Sequence, residues 1–307
     1  MDVIATGYPS LDFITRVSRS PEIDETAIIK ERSPEPTFGG CGANIATGLA
    51  DQGFDTGVAM VVGSDFEESG YLEYLQTKGV DTAGIVTLEN DVTSRSHIYV
   101  NPNGEYQNFF YPGAAAHYSE DQLKNLEPGR SEYTLVTVGN SSYNRKFVDL
   151  VRQSESKLIW QLKADADAYR PDELEIFARS SWAIFMNRIE KEYLLKNLGL
   201  ESVESLLNWN TELIFLTRGS KGSTVITNEG KVNVSVVKAE KVVDPTGAGD
   251  AFTAGVISGL LKSLSPMKSA KMGAVWASYA VEGIGAQNQL PNYTDIRKRY
   301  NKNFEGI

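Results

Sequence analysis

A segment near the C-terminus of the 307-residue chain combines two glycines with a carboxylate, a combination that suits phosphate chemistry. The segment is Asp244-Pro245-Thr246-Gly247-Ala248-Gly249-Asp250-Ala251-Phe252. Its loop opens a run of small residues that is typical of a helix. The main-chain N–H groups of Gly247, Ala248 and Gly249 can then point at one spot, where the start of the helix adds partial positive charge. We therefore predict an anion-binding site at this loop.

Asp250 directly follows the predicted anion-binding loop, and its carboxylate can act as a base. Phosphoryl transfer needs positive dipoles where charge builds on the moving group, and a base within hydrogen-bond reach of the attacking hydroxyl. An isolated Gly-x-Gly-Asp would equally suit a carboxylate that caps a helix after a tight turn. The length and order of the whole segment favour the catalytic interpretation, with Asp250 as the general base.

Four further sites in the sequence carry glycines, amides or carboxylates that could join this loop in one site. They are Phe38-Gly39-Gly40-Cys41-Gly42-Ala43-Asn44-Ile45-Ala46, Gly63-Ser64-Asp65 with Lys78-Gly79-Val80-Asp81, Asn187-Arg188-Ile189-Glu190, and Thr217-Arg218-Gly219-Ser220-Lys221-Gly222. The pattern Gly-x-x-x-x-Gly-Lys-Ser/Thr does not occur in the sequence. A P-loop kinase is therefore disfavoured.

Together the five elements resemble the signatures of the ribokinase-like sugar and nucleoside kinases, the PfkB carbohydrate kinases. They occur in the family's order and span nearly the whole chain, so chance is a poor explanation although each short pattern alone is weak. The resemblance implies an α/β fold, a three-layer sandwich with a mostly parallel central sheet and a small β-sheet lid. It also implies ATP and Mg²⁺, and it leaves open a monovalent cation.

The resemblance assigns roles to residues of these elements. Those that would hold the hydroxyls of the acceptor are Asp12, Gly39, Gly40 and Asn44. Those that would contact ATP are Asn187, Thr217, Gly219 and Gly222. Glu190 would orient water bound to Mg²⁺, an ion that keeps much of its hydration in proteins. The anion hole of the family would be formed by Gly247, Ala248 and Gly249.

Local structure offers an alternative for several of these residues. Asp12 could cap a turn, and Asn44 could face a neighbour on its own helix. Asn187 and Glu190 have the spacing of a helix capping box, an interpretation that is at least equal on local sequence alone. The segment after Thr217 could simply be a hairpin between two strands.

Three positions depart from the family pattern. Trp160-Gln161-Leu162-Lys163 stands where relatives often have Asp-x-Asn or Asp-Pro-Gly, so contacts at that point do not carry over. Pro245 stands where Thr is frequent and should stiffen the loop without removing an N–H of the anion hole. Arg218 places a cation beside the nucleotide loop, where a solvated side chain is the expectation.

The elements that must position these residues follow an α/β alternation within one domain, residues 1–307. Apolar runs predict strands at 3–5, 58–62, 133–138, 158–160, 182–186 and 213–217, and late helices at about 249–263 and 266–282. Residues 14–38 and 93–112 interrupt the alternation and predict the lid, with a hairpin turn at Asn101-Pro102-Asn103-Gly104. Phe109 and Tyr111 share a strand face and could close over a substrate base, although packing is the commoner role.

Composition limits the partners and the compartment of the protein. There are 40 Asp and Glu against 30 Lys and Arg, and the net charge of −10 opposes nucleic acid as a partner. Cys41 is the single cysteine, which favours a reducing cytoplasm. Neither a signal peptide nor an apolar run of membrane-spanning length is present in the sequence, so we expect no membrane partner.

The form of the motifs implies a substrate class. The Gly-Gly-Cys-Gly-Ala-Asn turn, the Asp-Pro-Thr start of the catalytic loop and residues 108–114 resemble nucleoside kinases of the family more than ribokinase or fructokinase. We therefore expect a nucleoside phosphorylated on its 5′-hydroxyl, with a free sugar or sugar phosphate as the alternative. The resemblance also leaves open a homodimer that pairs through the lid and covers its exposed edge.

Two other functional classes are disfavoured. A nucleotide-binding regulator that lost turnover would not need Asp250 beside a complete Gly247-Ala248-Gly249 loop. A dinucleotide oxidoreductase should carry Gly-x-Gly-x-x-Gly after the first strand, and that fingerprint is missing from the sequence.

Overall fold

A computed structural model describes residues 1–124, 126–164, 169–287 and 291–304 of the chain. The strands of these residues are β1 (Val3–Thr6), β2 (Ser10–Val17), β3 (Ile29–Arg32), β4 (Thr37–Gly39), β5 (Thr56–Gly63), β6 (Asp81–Leu88), β7 (Arg95–Val100), β8 (Tyr106–Tyr111), β9 (Tyr133–Val136), β10 (Lys157–Gln161), β11 (Ala183–Asn187), β12 (Leu213–Thr217), β13 (Ser223–Thr227) and β14 (Gly230–Val234). The helices are α1 (Cys41–Ala50), α2 (Tyr71–Thr77), α3 (Ser141–Val151), α4 (Pro171–Ser180), α5 (Arg188–Leu198), α6 (Ala248–Leu261), α7 (Pro266–Ala280) and α8 (Tyr293–Asn303).

Nine strands form a central sheet in the order β14-β13-β12-β11-β10-β9-β1-β5-β6. The strands from β12 to β6 run parallel, and the two pairings at one edge, β12 with β13 and β13 with β14, are antiparallel. The inner strands are apolar and buried on both faces, as a parallel sheet covered by helices requires. This confirms the predicted mostly parallel α/β sheet.

Helices cover both faces of the central sheet, which gives the three layers. Alternate residues of one strand point to opposite faces, so Met60 packs in the core with α1, α2, α6, α7 and α8, while its neighbour Val61 packs in the core with α3, α4 and α5. The carboxyl ends of the parallel strands therefore meet at one edge, between the two helical layers.

A second, smaller sheet stands beside this edge, with strands in the order β3-β2-β7-β8 and with β4 paired to β2. It is built from residues of both segments predicted for the lid, and β2 begins slightly earlier, at Ser10. The turn between β7 and β8 is held by Asn101, whose Oδ1 accepts the main-chain N–H groups of Asn103 (2.9 Å) and Glu105 (3.1 Å). We call this second sheet the lid.

The helix that carries Asp250 is fixed by close packing against α7. Small residues make the contact: a Cβ added to Gly273 of α7 would lie 2.6 Å from the carbonyl oxygen of Phe252 in α6. Helix α6 is buried along most of its length. Its N-terminus is thereby held rigidly at the edge where the strands end.

None of the helices in the described part of the chain combines the length and the apolar character that crossing a membrane would require.

Candidate active site

A cavity of about 500 Å³ opens where the strand ends, the starts of α1 and α6, and the lid meet. The predicted site residues that line it are Asp12, Gly40, Asn44, Asn187, Glu190, Thr217, Gly247, Gly249 and Asp250. These residues are spread over nearly the whole sequence. The fold therefore brings most of the predicted site into one cavity.

Four predicted residues lie outside the lining. Gly39 supports the cavity from behind, because a Cβ there would lie 2.2 Å from Oδ2 of Asp12. Ala248 forms the first turn of α6. Gly219 and Gly222 shape the short 3₁₀ turn that joins the antiparallel strands β12 and β13. Their contact with ATP remains a prediction.

The carboxylate of Asp250 is held by an amide on each oxygen. Asn44 Nδ2, from α1, donates to Oδ2 at 2.7 Å, and Gln161 Nε2, from the end of β10, donates to Oδ1 at 2.6 Å. Hydrogen bonds to an ionised carboxylate are among the stronger ones in proteins. Each carboxylate oxygen has a second lone pair, so Asp250 can still accept a proton from a substrate hydroxyl.

A chain of hydrogen bonds extends from Asn44 into the protein. Gln287 Nε2 donates to Asn44 Oδ1 at 2.7 Å and to the Tyr71 hydroxyl at 3.0 Å. Tyr71 in turn donates to the carbonyl oxygen of Gly39 at 2.7 Å. The Gly39-Gly40 turn, α1, α2 and the loop after α7 are thus connected to the carboxylate of Asp250.

The loop before α6 has the conformation that an anion site requires. Gly247 has φ 76°, and a Cβ there would lie 2.6 Å from the Cβ of Ala286, so only glycine fits. Asp244 fixes the loop, because its Oδ1 accepts the N–H of Thr246 (2.9 Å) and its Oδ2 that of Gly285 (3.0 Å).

The main-chain donors of this loop are not equivalent. Ala248 N–H donates to the Pro245 carbonyl at 3.2 Å, whereas the N–H groups of Gly247 and Gly249 have no partner within the described ranges. A Cβ on Gly249 would meet no described atom within 4 Å, so open space lies over the start of the helix. The space and the free donors fit a phosphate group, although sequence analysis did not anticipate the bond of Ala248.

Asn187 and Glu190 form the capping box that local sequence allowed, and Glu190 also faces the cavity. Asn187 Oδ1 accepts the N–H groups of Ile189 (2.8 Å) and Glu190 (3.0 Å), and Glu190 Oε2 accepts the N–H of Asn187 at 2.6 Å. Burial raises the pKa of Glu190 to about 6. The cap therefore fixes a carboxylate at the cavity wall, where it could hold a hydrated cation.

Asp12 is another buried carboxyl group that lines the cavity. The Ser10 hydroxyl donates to its Oδ1 at 2.5 Å, and the Ser96 hydroxyl lies 3.0 Å from that of Ser10. Burial raises the pKa of Asp12 to about 6, and the charge of Asp250 acts in the same direction. A buried group that can accept hydrogen bonds suits the recognition of a polyhydroxyl substrate.

The sequence matches the pfkB family of carbohydrate kinases along almost the whole chain, over residues 2–293. The chain belongs to this family. The resemblance seen in the sequence is thus confirmed, and the chain is a kinase by family.

This kinase is similar to nucleoside kinases and ribokinases over nearly its whole length. A nucleoside kinase from Methanocaldococcus jannaschii is 30% identical over 98% of this chain and 97% of its own. A ribokinase from Lactococcus lactis is 28% identical over 97% of this chain and 96% of its own. The solved structure of the M. jannaschii nucleoside kinase, a member of the ribokinase family, has a TM-score of 0.88 at 28% identity, with 98% of both chains covered.

Sequence reasoning missed two residues of the kinase site, and Phe109, which it suggested as a cover for a substrate base, lies elsewhere. The segment of Gln161 was noted only as a departure from the family, and no pattern marked Gln287. The structure also corrects the lid aromatics: Phe110 lines the cavity, whereas Phe109 lies on the opposite face of β8 with Tyr99. Phe110 packs against Tyr8, with ring centroids 5.0 Å apart.

Asp12→Asn should stabilise the folded kinase at alkaline pH. The folded pKa of about 6 lies above the ordinary 3.8, so ionisation of Asp12 costs stability as the pH rises through this window. An uncharged amide avoids this cost, and a shift of that size corresponds to about 3 kcal/mol above pH 7. Denaturant unfolding at pH 4 and pH 8 measures the difference.

The gain should mostly vanish at pH 4, where the folded state carries a protonated carboxyl group. Asp172→Asn, at an exposed position of α4, is the matched control and should change the free energy of unfolding by less than about 0.5 kcal/mol. If Asp12→Asn changed the free energy of unfolding equally at both pH values, that result would contradict a raised pKa of Asp12 in the folded state.

Proposed function

We propose that this protein transfers the γ-phosphoryl group of ATP to the 5′-hydroxyl of a nucleoside. The observation that carries the proposal is the position of Asp250, whose carboxylate is held in the cavity directly after the glycine loop that opens α6. A base and a set of main-chain anion donors thus share one cavity, as in-line transfer to an alcohol requires.

A nucleoside acceptor is supported by the relatives and by the aromatic wall of the cavity. The relative at 30% identity over nearly the whole chain is named a nucleoside kinase. Tyr8, Tyr106 and Phe110 line the cavity, and aromatic rings offer faces on which a nucleobase can stack. A free sugar would leave this wall without a partner. A sugar is the second candidate, because a ribokinase is 28% identical over a similar length.

The acceptor would lie between the lid and the central sheet. Asp12, from the lid strand β2, and Asn44, from α1, face the cavity from two elements and can contact neighbouring ribose hydroxyls. The Gly39-Gly40 turn allows the backbone to approach the sugar closely. The 5′-hydroxyl would then donate to the free lone pairs of Asp250, which would take its proton as the hydroxyl oxygen bonds to the γ-phosphorus. The bond between that phosphorus and the β–γ bridging oxygen would break in the same step, and ADP would leave.

The phosphates of ATP would lie over the start of α6. The free N–H groups of Gly247 and Gly249 and the dipole of the helix face the open space there. Asn187 and Thr217, which also line the cavity, would lie along the donor nucleotide. Glu190 would hold Mg²⁺ through water, and that ion would supply positive charge to the phosphate oxygens.

Asp250→Asn tests the base. The amide keeps the shape of the side chain but cannot take the proton of the acceptor, so kcat should fall by about 10²-fold or more. The assay is ATP consumption with Mg²⁺ and a panel of nucleosides and sugars, and Asp172→Asn is the control. An unchanged rate would remove Asp250 from this role, and turnover with sugars alone would favour the second candidate.

Phe110→Ala tests the nucleobase wall. Loss of the ring should raise KM for the nucleoside by about tenfold, the scale of one aromatic contact, and should change KM for ATP much less. Phe109→Ala, its neighbour on the opposite face of β8, is the matched control. Equal effects of the two variants on the nucleoside KM would exclude a base stacked on Phe110.

We further propose that two copies pair through the outer face of the lid. This face has a cavity of about 600 Å³ lined by Val17, Pro21, Ala27, Ile29, His97, Tyr99, Gln107 and Phe109. Large apolar side chains are unusually exposed there, Ile29 at 57% and Phe109 at 61%. Apolar surface of this kind at a sheet edge favours pairing with another copy.

Sedimentation velocity should therefore show a dimer, and Ile29→Glu should shift it to monomer by burying a charge without a partner. Val232→Glu, which replaces an exposed valine on β14 away from the lid, is the control and should leave the dimer intact. A monomeric parent chain at micromolar concentration would contradict this proposal.

A further inference from the structure

Gln161 donates the hydrogen bond to Asp250 at 2.6 Å that the family pattern did not anticipate. The residue ends β10, and its backbone is fixed in the central sheet because it pairs in register with Phe185 of β11. Its side chain therefore approaches Oδ1 of Asp250 from a rigid strand. Asn44 approaches the other oxygen from the start of α1.

We propose that Gln161 is a positioning residue that, with Asn44, aims the carboxylate of Asp250 at the acceptor hydroxyl. This inference rests on the proposed function of Asp250 as the base. One donor alone would leave the carboxylate free to rotate about its Cβ–Cγ bond. Donors on both oxygens, from two different elements, stop that rotation.

The chemistry of the amide suits this task better than a charged group would. An N–H donor stabilises the ionised carboxylate without neutralising it, as a lysine ammonium would, or repelling it, as a second carboxylate would. The amide orientation is also determined, because the reverse orientation would place Oε1 of Gln161 against the oxygens of Asp250.

The other end of the Gln161 amide makes no competing contact. Its Oε1 is buried and has no hydrogen-bond partner among the residues that the structure describes. Within those residues, the hydrogen bond to Asp250 is therefore the contact that orients the amide.

The groups around Asp250 that carry or gain charge come from several elements. They are Cys41 of α1, Asp12 of β2, Lys163 after β10 and Glu190 of α5. Burial raises the pKa of Asp12 to about 6, so this carboxyl group also contributes to the pH dependence of the wild-type rate. The wild-type chain and the Gln161 variants share these four groups. The informative quantity is therefore the difference in the pH dependence of kcat between each variant and the wild-type chain.

The experiment compares the pH dependence of kcat in wild type, Gln161→Met and Gln161→Glu, with ATP, Mg²⁺ and the nucleoside that wild type turns over best. Gln161→Met keeps the length but removes the donor, so kcat should fall by about 10- to 100-fold while KM for the nucleoside changes less than about threefold. The acid limb of its pH profile, where kcat falls as the pH is lowered, should move to higher pH, because the ionised carboxylate of Asp250 has lost a hydrogen-bond donor.

Gln161→Glu keeps the shape and places a second carboxyl group against Asp250. The pair should share a proton, so the acid limb should move further up than in Gln161→Met. Gln153→Met, the same exchange at an exposed position just after α3, should leave the profile unchanged. Thermal melting of each variant confirms that the folded chain is being measured, and Gln161→Glu carries the test if Gln161→Met does not fold.

The order wild type, Gln161→Met, Gln161→Glu in the position of the acid limb would support the inference. Equal acid limbs at a reduced rate would overturn it, because a residue that only packs would not move the profile. Absence of turnover by the wild-type chain with every acceptor would instead overturn the proposed function.

Discussion

The site depends on one buried interaction, the carboxylate of Asp250 between the amides of Asn44 and Gln161. Each partner belongs to a different element: the first turn of α6, the start of α1 and the end of β10. These three elements meet at the edge where the parallel strands end. The packing of α6 against α7 and the connection of Asn44 through Gln287 to Tyr71 both serve to hold this contact in register.

Acidic groups are concentrated around this interaction, and their burial lowers the stability of the folded chain. Asp12 and Glu190 are buried in the same cavity, and burial raises the pKa of each to about 6. A fold selected for stability alone would not place three carboxyl groups in one cavity. Such local destabilisation is expected at a site where a substrate supplies hydrogen bonds to the polar groups when it binds.

Contiguous motifs could be predicted from the sequence, whereas contacts between distant side chains could not. The predicted helix at about 249–263 is α6, and Asp250 follows its loop, because turn, helix start and carboxylate all lie within one segment. Gln161 is 89 residues from Asp250, and Gln287 is 243 from Asn44, so no local pattern reports either pair. The sequence did not reveal which face of β8 points to the cavity, because aromatic residues occur on both faces of this strand.

The two faces of β8 assign separate tasks to neighbouring residues. Phe110 lines the cavity, and Phe109 lies on the outer face of the lid. Substitutions at alternate positions of this strand can therefore change the cavity and the outer surface of the lid separately. This separation of tasks requires that the number of residues in the strand stay the same. Because the side-chain period of a strand is two, insertion or loss of one residue within β8 would move every side chain beyond that point to the other face. Natural variation of this lid should therefore favour substitutions over single-residue insertions or deletions.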